Sequence, residues 1–97
     1  MIHYVLFCIL WSKPEVKLME VPVSEYGMVT ISENHLDFNF YADVFEEKLN
    51  SMKLTHLATG ISAHVAAPND YQQRSLFTKL DVGTTEATLD CEMRQKN

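Results

Sequence analysis

The chain opens on an unbroken apolar run, Tyr4-Val5-Leu6-Phe7-Cys8-Ile9-Leu10-Trp11, followed by Ser12-Lys13-Pro14. An apolar run with a turn signal behind it predicts a strand over residues 2–11, buried on both faces. Residues 16–23 mix apolar and charged positions. Pro22 cannot donate to a ladder, so this second strand is expected to lie at an edge or to end there. Together the segments predict an antiparallel hairpin turning at Ser12–Glu15. Tyr26-Gly27 then punctuates the chain, and Met28–Ser32 reads as a third short strand.

Residues 36–57 carry two periods at once. Leu36, Phe38 and Phe40 alternate with Asp37 and Asn39, which is strand periodicity. Leu36, Phe40, Tyr41, Val44, Phe45, Leu49 and Met52 instead share one helical face. Ser32 or Asn34 offers a cap and Gly60 a stop. The longer pattern favours a helix starting at 36–41 and ending at 57, with Phe38 as the exception. Ile61–Ala66 is expected to be a strand, and Pro68-Asn69-Asp70 a turn and cap. Tyr71–Leu80 is expected to be a short helix with Leu76, Phe77 and Leu80 inward. After Gly83-Thr84-Thr85, Ala87, Leu89, Cys91 and Met93 alternate with polar residues, the cleanest strand signal in the chain. The order predicts one α+β domain over 1–97, a mostly antiparallel sheet of about four to five strands with two helices on one face. Such a sheet leaves a half-exposed face and an edge for a partner.

Composition narrows the function classes. Ninety-seven residues with 8 Lys+Arg and 13 Asp+Glu carry a formal charge of -5. That length excludes a TIM barrel or a full dinucleotide-binding fold. The acidic balance argues against direct nucleic-acid binding, which favours a basic stripe. The 3 glycines are dispersed, and neither a phosphate-cradling loop nor a Gly-x-Ser-x-Gly elbow occurs. His56 and His64 lie astride Gly60 without the spacing of a helical zinc pair. No cofactor or metal is therefore expected, and no catalytic residue stands out. No apolar stretch approaches the ~18 residues of a membrane span. The opening run has no preceding cation and no small-residue cleavage site, so the expected location is cytoplasmic. Cys8 and Cys91 are then expected to be free, buried thiols. A disulfide between them would require their backbones to meet.

Two short resemblances add alternatives. Met1–Phe7 with Lys13-Pro14 is similar to the first strand of small dimeric α/β-barrel proteins of the stress-responsive and antibiotic-biosynthesis-monooxygenase type. That likeness implies a homodimeric enzyme or ligand-binding barrel. The family places a long helix next, where this chain has Pro22. Gln73-Arg74-Ser75-Leu76-Phe77 resembles the bacterial sliding-clamp-binding peptide, which implies an exposed, extended segment.

The leading expectation is a small acidic protein-binding module, not an enzyme. Its partner would be another protein or ribonucleoprotein complex. It would act as a stoichiometric inhibitor or adaptor, of the toxin-immunity or phage anti-CRISPR type. Asp43, Glu46, Glu47 and Asn50 would form the contact on the outer face of the long helix. Trp11, Asp70 and Tyr71, near element ends, are the secondary contact candidates.

Overall fold

The computed structural model describes residues 3–12, 15–33, 35–44, 51–66 and 77–96. Every regular element among them is a strand: β1 (His3–Ser12), β2 (Val16–Pro22), β3 (Met28–Glu33), β4 (Leu36–Val44), β5 (Ser51–His56), β6 (Ser62–Ala66), β7 (Thr78–Leu80) and β8 (Ala87–Lys96). The expected α+β arrangement is thus corrected to an all-β one. Residues 36–44 form β4, where Leu36, Phe38, Phe40 and Ala42 are buried and Asp37, Asn39, Tyr41 and Asp43 are exposed. A period of two decides the segment, and Phe38 is part of the pattern. Gly60 does not stop a helix. With φ 74 it closes the β5–β6 hairpin, donating to the His56 carbonyl at 2.7 Å. The rest of both expected helices, 45–50 and 71–76, lies outside the described residues.

Two four-stranded antiparallel sheets result, sheet A in the order β2-β1-β8-β7 and sheet B in the order β3-β4-β5-β6. Each strand lies beside its chain neighbours, and β8 returns to pair with β1. The chain thus runs a complete circuit, a flattened up-and-down barrel whose ladders break between β2 and β3 and between β6 and β7. The expected β1–β2 hairpin is present. The circuit has no helix among the described residues, unlike the dimeric α/β barrels that the opening residues resemble.

Alternate side chains from both sheets fill the interior. Leu6, Leu10, Ile31, Phe40, Met52, Leu54, Leu89 and Met93 are almost fully buried. His56 joins them, with its ring 5.2 Å from Phe40 and its Nδ1 2.9 Å from Thr59 Oγ1. Cys8 and Cys91 face each other in the β1–β8 register and are joined as a disulfide, with Cα atoms 4.1 Å apart. The expectation of free thiols is corrected by this register, which brings distant ends of the chain into direct opposition.

The break between β2 and β3 has a local cause. Ser24 N–H donates to the Met28 carbonyl, and Gly27 N–H to that of Ser24. The three-residue loop ends on Gly27 at φ 83, a conformation that suits glycine. A Cβ there would sit 2.7 Å from the Ala42 oxygen. The next hydrogen-bonded pair on this ladder would be Pro22 with Thr30, and Pro22 has no N–H to give. Beyond it β2 and β3 share no ladder among the described residues, and Lys17 Nζ reaches across, 2.6 Å from Glu33 Oε1. That hydrogen bond holds the Lys17 ammonium above its ordinary value of 10.5. The bridge therefore stays charged on the lysine side at neutral pH and is lost as pH rises past that value. Pro22→Thr restores the donor. The new amide at residue 22 is expected to exchange about fivefold slower than an unprotected amide, since one net hydrogen bond is worth ~1 kcal/mol. Exchange at the unprotected rate would place the cause of the break elsewhere.

Candidate protein-interaction surface

The outer face of sheet A is built from the odd positions of β1 and the even positions of β2 and β8. Register sets them in rows: Val16–Trp11–Thr88, Leu18–Ile9–Asp90, Glu20–Phe7–Glu92 and Pro22–Val5–Arg94. Burial is graded along this face. Val5 and Glu92 are buried, Phe7 and Ile9 are half-buried, and Trp11, Val16 and Leu18 are exposed at 47%, 57% and 67%. The buried end is held by charge. Arg94 Nη2 donates to Glu92 Oε1 at 2.9 Å, and its guanidinium lies 5.3 Å from the Phe7 ring centroid. A carboxylate this buried needs such a partner.

The exposed end presents an indole flanked by a valine, with a leucine and an isoleucine in the next row. Trp11 Nε1 donates to Asp90 Oδ2 at 2.8 Å, which fixes the ring on the sheet. A rigid aromatic anchor loses little entropy when a partner covers it. Lys79, opposite Asp90 in register, and Thr88 also line an adjoining groove of about 540 Å³ beside the β7–β8 loop. The apolar cluster therefore sits next to a concavity with mixed polar walls.

The structure separates the residues expected at the site. Trp11 stands at the centre of the exposed apolar cluster. Asp43 is on the outer face of sheet B, in register with Lys53. It lies on β4, so the acidic helix face to which it was assigned does not exist at that position. Glu46, Glu47, Asn50, Asp70 and Tyr71 lie outside the described residues, as does most of Gln73–Phe77. Sequence reasoning missed Val16 and Leu18. Their signal was the apolar character of both faces of β2, where Met19 and Val21 pack inward while Val16 and Leu18 face out.

No protein-family model, curated protein or solved structure matches the chain.

Proposed function

We propose that the chain is a protein-binding module, an inhibitor or adaptor that acts stoichiometrically through the outer face of sheet A. The observation that carries this reading is the cluster of Trp11, Val16 and Leu18, three large apolar side chains exposed side by side on adjacent strands. Single exposed apolar residues are ordinary, but clustered ones favour an interface. Tryptophan is among the residues most enriched at binding hot spots. The interior is filled by side chains, which favours a surface site over a barrel cavity. The expected cytoplasmic location goes with reduced thiols. The Cys8–Cys91 disulfide supports an oxidising compartment instead.

The test is affinity capture with the tagged, oxidised chain from its natural host, comparing wild type with Trp11→Ala. The variant is expected to weaken capture of a stoichiometric partner by about 30-fold, the ~2 kcal/mol of a hot spot. Its unfolding midpoint should stay close to wild type, since the indole is half exposed. Equal capture by both proteins would overturn the reading.

A further inference from the structure

We infer that the seam between β2 and β3 receives an extended, basic segment of another protein, which adds to β2 as a new strand. The inference rests on sheet A being the binding surface, and it names the chemistry of the partner.

The backbone argument comes from register. Val23 N–H donates to the Tyr4 carbonyl at 3.0 Å. In an antiparallel ladder alternate residues bond to the same neighbour, so Lys17, Met19 and Val21 turn toward β1. Val16, Leu18 and Glu20 turn their N–H and C=O groups toward the seam, and Pro22 its carbonyl alone. On the other bank Ala42 N–H donates to the Gly27 carbonyl at 2.7 Å, which directs the odd residues of β3 to β4. Thr30 and Ser32 therefore face the seam as well. β2 and β3 are terminal strands of their sheets and share no ladder among the described residues. Such edges are templates for strand addition.

Charge decides the sign of the segment. Residues 15–33 contain four glutamates, at 15, 20, 25 and 33, and one lysine, Lys17. Lys17 is engaged with Glu33 in an exposed ion pair, which an incoming lysine or arginine can exchange at little net cost. A second copy of this chain would bring the same carboxylates to the seam and be repelled. Side chains decide the pattern. Val16 and Leu18 flank the edge on the Trp11 face, and Met28 and Tyr26 are exposed at its closed end. The segment should thus alternate apolar residues with lysine or arginine.

The probe is a capped peptide of about ten residues alternating valine and lysine, a length that spans a strand. It is added to the oxidised full chain and followed by NMR amide exchange. Exchange at Leu18 is expected to slow by about tenfold, with affinity falling between about 50 and about 300 mM salt. A valine–glutamate peptide should give no protection. Leu18→Pro removes one seam donor without touching the β1 ladder and should cut affinity about tenfold. A Leu18→Val control should bind within a few-fold of wild type. Unprotected Leu18, or equal binding of the acidic peptide, would overturn strand addition. Protection of the same amide on concentrating the chain alone would assign the seam to a second copy and overturn it too. These outcomes are separate from the failure of the Trp11 face, which is read by capture of the cellular partner.

Discussion

Removal of the Cys8–Cys91 bond is expected to be the most damaging covalent change the fold can suffer. The bond spans 83 residues of sequence. Closing a loop of that size restricts the unfolded chain by about 4–5 kcal/mol on the chain-entropy account. A domain of this length has ~5–15 kcal/mol in total. The Cys8→Ala/Cys91→Ala double variant, or the reduced protein, should therefore lose a large share of its stability. Its thermal midpoint should fall by about 20–30 °C. Chemical unfolding of oxidised, reduced and double-variant protein checks this. Agreement between the reduced protein and the double variant would assign the loss to the cross-link. A change under ~1 kcal/mol would mean that the β1–β8 ladder alone closes the circuit.

The role of that bond explains why sequence reading stopped short of the fold. The opening strand, the edge signal at Pro22 and the alternation of Ala87, Leu89, Cys91 and Met93 were all legible. None of them says that β8 lies against β1, because that pairing is a long-range fact with no local signature. Once it is known, the Cys8 register follows and so does the disulfide. The middle of the chain failed for a different reason. Leu36, Phe40, Tyr41 and Val44 suit a helical face as well as a strand, and an apolar tyrosine at an exposed sheet position blurs the period. Gly60 and Gly83 punctuate a hairpin as readily as a helix end. The candidate site was legible only in Trp11. Val16 and Leu18 gain meaning from the register with Trp11 and Ile9, which places four apolar side chains together.

Phe40 and Tyr41 turn this ambiguity into a measurement. A helix would direct both inward, whereas β4 sends them to opposite faces. Phe40 is 1% exposed and packs its ring against His56. Its register neighbours are Val29 and His56, on the strands to either side. Phe40→Ala removes one of the largest wholly buried side chains and leaves a cavity among groups pinned by two ladders, so little collapse can fill it. The expected loss is about 3–5 kcal/mol. Tyr41 is 46% exposed on the outer face of sheet B. Tyr41→Thr keeps a strand-forming residue there, and its cost should stay under ~1 kcal/mol. Urea unfolding of the two variants gives the ratio directly. Comparable losses would return residues 36–44 to a helical face and remove the ladder on which β3, β5 and the closed circuit depend. A severalfold difference in favour of Phe40 is what the period of two requires.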